Sequence, residues 1–349
     1  MKEEKNVPVF TRKKAELIHS GKIYVPDTIE LPYALSSSTA GPGAGGKALA
    51  LSFGKTRLKL GVTREEDAEF SLVKDGEGFQ IMKGEEVFVE DVTIIPTLLH
   101  APNQAFVNLY DDCIYNCAFC PTPSLDESQR KNRGVEEAAR LIIEAAQGSE
   151  FKSVAITSGV RGSPKETLAD MISVIRKVRQ ELPDVEIGVE PYVDNEETLQ
   201  KLHDAGATEI KINIESYDRD IFQKICPDLD YELILHMLKE AVGIFGKGKV
   251  ATNIIIGLGE SDENIIEGLE HLAEMGVVPG LRVLRLNKYS RNRIKQALGR
   301  VPEEVSQERM LTLASTQKAI LEKHGLTTRT FKTMCHQCGC CDIVPGKDI

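Results

Sequence analysis

No stretch of the 349 residues approaches the ~18 to 20 consecutive apolar positions that a membrane-spanning helix needs. The opening MKEEKN also lacks the apolar run of a signal peptide, so a cytoplasmic protein with no membrane partner is expected. Low-complexity sequence is confined to SSSTAGPGAGG at 36–46, which sets aside disorder, collagen and coiled coil for a chain with 41% hydrophobic and 28% charged residues. Positive charge is in deficit: 43 Lys and Arg against 53 Asp and Glu leave a net charge of −10. That balance argues against a general role on nucleic acid or anionic membrane, where charge attraction supplies most of the affinity.

What is present is clustered cysteine. Seven of the eight cysteines fall in two tight groups, Cys113, Cys117 and Cys120, then Cys335, Cys338, Cys340 and Cys341. In a reducing cytosol such grouping points to metal or redox chemistry rather than disulfides. Cys226, in KICPDLDY, stands apart and reads as a packed thiol, since isolated cysteines behave as small buried hydrophobes.

From about residue 106 onward, short β-rich apolar runs alternate with stretches of helical period. Strands are predicted at 106–110, 153–157, 185–189, 209–214, 250–256 and 281–286. Between them lie helix patterns such as GVEEAARLIIEAAQG and KETLADMISVIRKVRQEL, stopped by Gly148 and Pro183. Six such units imply an α/β fold, a partial TIM-like (β/α)6 barrel with its chemistry at the C-terminal ends of the strands. Residues 1–100 differ: after a short helix near 11–19, the runs KALALSF, RLKLGV, EFSLV, FQIM and EVFVEDVTII form a small β-rich module. The barrel then occupies 101–300, and 301–349 holds a helix at 302–324 and a cysteine-rich tail. The Gly-rich segment at 36–46 matches neither nucleotide-binding glycine pattern and reads as a flexible loop.

The segment NLYDDCIYNCAFCPTP sets the first group in C-x3-C-x2-C spacing at the end of the first strand. Three thiolates on one loop can hold three irons of a 4Fe-4S cluster and leave the fourth open to an exchangeable ligand. A structural zinc site needs four closed ligands, and no nearby His or Cys supplies the fourth. With Phe119 before the third cysteine, the motif resembles that of the radical S-adenosylmethionine (SAM) superfamily. The resemblance implies that the methionine end of SAM binds the open iron and that an electron from the cluster cleaves the sulfonium to a 5'-deoxyadenosyl radical. It also implies an electron donor of ferredoxin or flavodoxin type.

The later strand ends extend the resemblance, which covers about 103–290. In ITSGVRGSP, Ser158 and Gly159 stand where the superfamily uses a Gly-Gly-Glu-like edge on the methionine amino group; the Glu is absent, and the run is similar to a Thr-Ser stretch of lipoyl synthases. NIIIGLGES carries Ile255, Gly257 and Glu260 of a G-x-I-x-G-x-x-E pattern that packs on the adenine, with Asn253 in place of the first glycine. In EIKINIESYD, Lys211, Asn213 and Glu215 alternate onto one inward face. The resemblance gives a polar residue there the ribose hydroxyls, with Asn213 and Glu215 as the better candidates. Glu190 is a similar polar strand end, and both it and Lys211 read equally well as ordinary loop-capping residues.

KTMCHQCGCCDIV brings four thiols and His336 within seven positions, a set that would repel or oxidise unless a metal held it. Zinc could close a tetrahedral C-x2-C-x-C-C site; a second, auxiliary 4Fe-4S cluster is preferred, because the first already demands the assembly machinery and an anaerobic, reducing setting. Adjacent Cys340 and Cys341 can hardly both reach one cluster. An auxiliary cluster with a weakly held iron is similar to the sulfur source of lipoyl and biotin synthases. Its position after the barrel resembles the biotin-synthase-like proteins that act as two-protein lipoyl synthases in archaea and anaerobes. That implies sulfur insertion into a carrier-bound octanoyl group and a homologous partner subunit. A tail folded over the barrel mouth would bring Cys335–Cys341 close to the radical. The competing readings are a radical SAM enzyme of another cofactor pathway, or an iron-sulfur electron carrier without catalysis.

Residues 281–300 contain seven Arg and Lys and no acid. Arg282 or Arg285 is expected to clamp the cofactor carboxylate by a bidentate fork, with the rest available to an acidic partner or simply solvated.

Overall fold

The computed structural model describes residues 7–37, 41, 42, 44 and 46–349. MKEEKN and part of the Gly-rich segment lie outside them. The chain begins with helix α1 (Val9–Ser20), ended by Gly21 in left-handed conformation. It continues with strands β1 (Lys22–Tyr24), β2 (Ser36–Ser37), β3 (Lys47–Phe53), β4 (Thr56–Thr63), β5 (Phe70–Asp75), β6 (Gly78–Lys83) and β7 (Glu86–Ile94). These strands pair in the order β2-β3-β4-β1-β5-β6-β7, and β3 also pairs with β7. The sheet thereby closes into a small barrel, which removes the exposed edges an open sheet would present.

The second sheet is wholly parallel and in chain order: β8 (Gln104–Asn108), β9 (Ser153–Thr157), β10 (Glu186–Glu190), β11 (Glu209–Lys211), β12 (Val250–Ile256) and β13 (Val278–Val283). Helices α2 (Gly134–Ala145), α3 (Pro164–Glu181), α4 (Glu196–Asp204), α5 (Arg219–Ile225), α6 (Tyr231–Phe245) and α7 (Asp262–Glu274) run between the strands. Then come α8 (Arg291–Leu298), α9 (Gln307–Lys323) and α10 (Met334–Cys338). This is the α/β partial barrel expected. Among the described residues β8 and β13 do not pair, so the sheet stays open on one side.

The first strand lies two residues earlier than the expected 106–110 and the third one residue later than 185–189, and two strands depart further. The sixth runs over Val278–Val283 rather than 281–286, because Pro279 and Gly280 read as breakers. Proline is tolerated there since β13 is the edge strand and needs no donor on its outer side. The fourth stops at Lys211, because the Ile214 N–H turns to the Thr252 hydroxyl (3.0 Å) and Glu215 takes a left-handed φ of +60°. Helix α9 starts later than 302, where the Ser306 side chain caps the Arg309 N–H.

The tail enters the parallel sheet from beneath. Glu209, first residue of β11, accepts from the Lys332 N–H (3.0 Å), the Thr333 N–H (2.9 Å) and the Thr333 hydroxyl (2.6 Å). At the start of β8, the Gln104 side-chain amide donates to the Met334 carbonyl (3.1 Å). At the start of β13, His336 Nε2 lies 3.2 Å from the Val278 carbonyl; burial lowers the His336 pKa to about 4, so the neutral ring donates that hydrogen. A Cβ on Gly188 would overlap the Thr333 hydroxyl, so β10 carries glycine where the tail fills the barrel. The expectation of a tail over the mouth is therefore corrected: the ends of the strands opposite the mouth receive it.

Candidate functional site

The first cysteine loop leaves β8 and is held by its neighbours' backbone. Leu109 N–H donates to Thr157 (2.8 Å), Ile114 N–H to Val160 (2.8 Å) and Ala118 N–H to Ile225 (2.7 Å). The Val160 N–H meets Cys113 Sγ at 3.4 Å. Gly159 is bare because a Cβ would overlap the Asp112 carbonyl oxygen just before Cys113; its partner Ser158 donates its hydroxyl to the Gly159 carbonyl (2.7 Å). Arg293 clamps the loop from α8, donating to the carbonyls of Cys120 (2.6 Å) and Asn116 (3.1 Å). Cys113, Cys117 and Cys120 are half-buried as residues, so one loop presents three thiols. Phe119 packs its ring on the core beside them. Cys226 is fully buried, as expected of a packed thiol, yet it is not isolated: it donates to the Cys117 sulfur, which raises its pKa. Sequence separation hid that contact.

Below this loop the inner face of β11 and its extension forms a polar column. Glu209 holds the tail, Lys211 Nζ sits 2.7 Å from Glu190 and 3.3 Å from Cys335 Sγ, and the Asn213 amide donates to Glu190 (2.8 Å). Asn213 Oδ1 is buried without a partner, an acceptor left open to a ligand hydroxyl. Glu215 follows, its pKa raised to about 7 by burial and by the Glu190 charge. The column thus links the two cysteine groups through the barrel interior.

On the far side, Ile255 is level with Arg282 in the β12–β13 register. Gly257 has φ +102° and would bring a Cβ to 2.6 Å from Val305. Glu260 accepts from the N–H groups of Gly257 (2.7 Å), Leu258 (2.8 Å) and Gly259 (3.0 Å) and pairs with Arg309 (2.9 Å). It therefore shapes the strand-end loop from within.

The second group lies between the open side of the parallel sheet and the small barrel. Cys335 Sγ receives Arg282 (3.0 Å) as well as Lys211, and Arg282 also pairs with Asp342. Lys14 donates to the Gly339 carbonyl and pairs with Asp348, both at 2.7 Å, while the Lys59 N–H donates to Cys340 (2.7 Å). The Cys338 pKa is lowered by the hydrogen bond from the Cys340 thiol, and burial raises Cys341 to about 11. Arg285 departs from its expected role: its guanidinium donates to the carbonyls of Cys341 (2.9 Å) and Ile18 (3.3 Å). Neither Arg282 nor Arg285 is left for a cofactor carboxylate, because the folded tail supplies their acceptors. Among the described residues, three or more ligand atoms gather within 4.8 Å only at exposed Glu196 and His236 and half-buried Glu240. Neither cysteine group brings three sulfurs within that distance of one another.

Glu209 and Asp342 lie outside the expected site: alternation two positions before Lys211 marks Glu209, and nothing local marks Asp342. Arg293, one of the seven basic residues of 281–300, is neither solvated nor free for a partner but bonded to the first cysteine loop.

Residues 107–272 match the Radical SAM superfamily. Curated relatives include the lipoyl synthase of Chlamydia felis, 26% identical over 189 residues, covering 53% of this chain and 58% of that protein. The lipoyl synthase of Caldanaerobacter subterraneus subsp. tengcongensis is 27% identical over 172 residues, covering 49% and 59%. The chain spans under two thirds of these relatives' length. The fold is similar to that of methylornithine synthase (TM-score 0.51, 19% identity, 61% of this chain and 62% of that one). It is also similar to that of a maturase of the FeFe-hydrogenase (TM-score 0.53, 20% identity, 64% and 51%).

Proposed function

Because residues 107–272 are a radical SAM domain, we propose that this protein is a radical SAM enzyme that inserts sulfur from an auxiliary cluster into C–H bonds of a carrier-bound octanoyl group. The observation that carries the reading is the polar column: Lys211 at one end meets the Cys335 sulfur, and Glu215 at the other lies near Cys226, which bonds Cys117 of the first loop. A substrate carbon held between the two groups would reach both. The curated lipoyl synthases support the choice of substrate class.

When bound, a 4Fe-4S cluster on Cys113, Cys117 and Cys120 supplies an iron for the methionine of SAM and the electron that cleaves its sulfonium. The chain's own residues then orient and enclose. The free Asn213 Oδ1 and the Glu215 carboxyl are acceptors for ribose hydroxyls, and Glu190 holds the Asn213 amide in place. Phe119, Ile255 and Gly257 offer apolar surface and close backbone to the adenine, while Ser158 and Gly159 present carbonyls beside the cysteine loop. The tail seals the barrel from below, which keeps water from a reactive carbon. Cys335, Cys338, Cys340 and Cys341 are the thiols for the auxiliary cluster. Exposed Lys288, Arg291 and Lys295 suit an acidic partner, whether reductant, carrier or homologous subunit.

The test is anaerobic incubation with SAM, a reductant and an octanoylated carrier peptide, read by mass spectrometry after loading the clusters with a sulfur isotope. Isotope in the product is expected, at about one product per auxiliary cluster. Replacing Cys335 and Cys338 should abolish sulfur transfer while 5'-deoxyadenosine is still released. Product sulfur drawn wholly from solution, or many turnovers without cluster loss, overturns the donor role.

A further inference from the structure

Lys211 is a buried cation for which SAM cleavage has no need. It is 3% exposed, and its ammonium is divided between the Glu190 carboxylate (2.7 Å) and the Cys335 sulfur (3.3 Å). An ammonium so far from water is costly unless fully paired, and one carboxylate would suffice for that. Arg282 repeats the arrangement, with Asp342 on one side and the same sulfur at 3.0 Å on the other. Two cations from different strands therefore converge on one sulfur. The first cysteine group is built otherwise: Cys113 receives a backbone N–H from Val160, and Arg293 bonds carbonyl oxygens of that loop.

N–H donors and positive charge at a ligand sulfur stabilise the reduced form of an iron-sulfur cluster and raise its potential. We infer that Lys211, together with Arg282, is a positioning residue that raises the reduction potential of the tail cluster above that of the first through charged N–H···S bonds to Cys335. The inference rests on the auxiliary-cluster reading proposed above. The chemistry there explains the need. When a carbon radical bonds to a sulfide, the new pair takes the radical electron and one sulfide electron. The second sulfide electron passes to iron, one ferric ion becoming ferrous. The group that gives sulfur must accept an electron easily, whereas the group that cleaves SAM must give one up. Glu190 opposes the effect, because it draws the Lys211 ammonium away from the sulfur.

The test is a potentiometric titration followed by electron paramagnetic resonance, on the full chain reconstituted with iron and sulfide. Cys113, Cys117 and Cys120 are replaced by alanine throughout, so that the tail cluster alone is read. Lys211→Met should lower the reduced-to-oxidised ratio at fixed poise about tenfold, equivalent to about 59 mV for one electron. Lys211→Arg should restore most of it. Glu190→Gln, which frees the ammonium toward Cys335, should shift the ratio the opposite way, a result that general damage to the barrel would not produce. Tail iron retained with an unmoved potential in Lys211→Met, or shifts of one sign in both variants, overturns the tuning alone. A parent chain that binds no iron at the tail overturns the sulfur-donor reading beneath it.

Discussion

At the scale of single residues, Glu215 combines two costs. It holds a left-handed backbone conformation at φ +60° without being glycine, and its carboxyl sits where burial and Glu190 oppose ionisation. Such strain persists when the surroundings fix it, here by backbone bonds to Asn253 (2.9 Å) and from Ile255 (2.7 Å). The conformation aims the side chain along the column, so Glu215→Gln should weaken SAM binding about tenfold. Equilibrium binding to reconstituted protein, with cluster absorption as control, checks this; unchanged affinity would remove Glu215 from the pocket. The cysteines make the complementary prediction. Reconstitution of the parent chain should give about eight irons, and alanine at Cys113, Cys117 and Cys120 should leave about four. Iron near four with stoichiometric zinc in the parent would sink the auxiliary cluster and spare the first.

At the scale of elements, α10 is a five-residue helix too short to stand alone, and strand starts hold it. Glu209 carries most of that attachment, with three donors from Lys332 and Thr333 and an ion pair to Lys249 (3.1 Å) on a carboxylate that is almost wholly buried. Glu209→Ala should cost about 3 kcal/mol, the range for breaking a buried pair, and should release tail iron before loop iron. Chemical denaturation and metal analysis read the two effects separately. Gly188→Ala tests the same attachment sterically: displacement of Thr333 should cost about 1–3 kcal/mol, and Thr333→Gly should recover part of it. Recovery absent, with α10 still in place, would mean that the glycine serves another purpose.

At the scale of the whole molecule, the small barrel, the parallel sheet and the tail meet around the second cysteine group. Lys14 from α1, Lys59 from β4, Arg285 after β13 and Asp348 near the C-terminus all bond there. Folding of any one part is thereby tied to the others. The assembly also carries an acid sensitivity. Burial lowers the pKa of His100 to about 3 and of His336 to about 4, against 6.5 when free. Their neutral forms are stabilised by the fold, so this contribution is complete above pH 6.5. It is lost as pH falls from 6.5 toward 4 for His336 and toward 3 for His100, because the unfolded chain takes up protons that the folded one refuses. For His336 the loss reaches about 2 kcal/mol at pH 5. Stability of the metal-free protein measured from pH 7 to 5 should fall accordingly, and His336→Gln should flatten the slope; an unchanged slope would place the titration elsewhere.

Local periodicity and spacing are legible along the chain. Alternating strand and helix patterns placed the parallel sheet, exact for 153–157 and 250–256, because those strands have no breaker inside them. C-x3-C-x2-C spacing marked the first thiol loop, since three ligands on one turn need nothing distant. Alternation along 211, 213 and 215 marked the inward face. The remaining contacts are set by three-dimensional packing, because each joins positions far apart in the chain. Closure of the small barrel depends on β3 meeting β7, and Cys226 reaches Cys117 across more than a hundred residues. The entry of the tail from below depends on glycine at 188, and the turn of Arg282, Arg285 and Lys211 toward it on the acceptors the folded tail supplies. Charge can be counted along a sequence, but which charge meets which sulfur is a matter of packing.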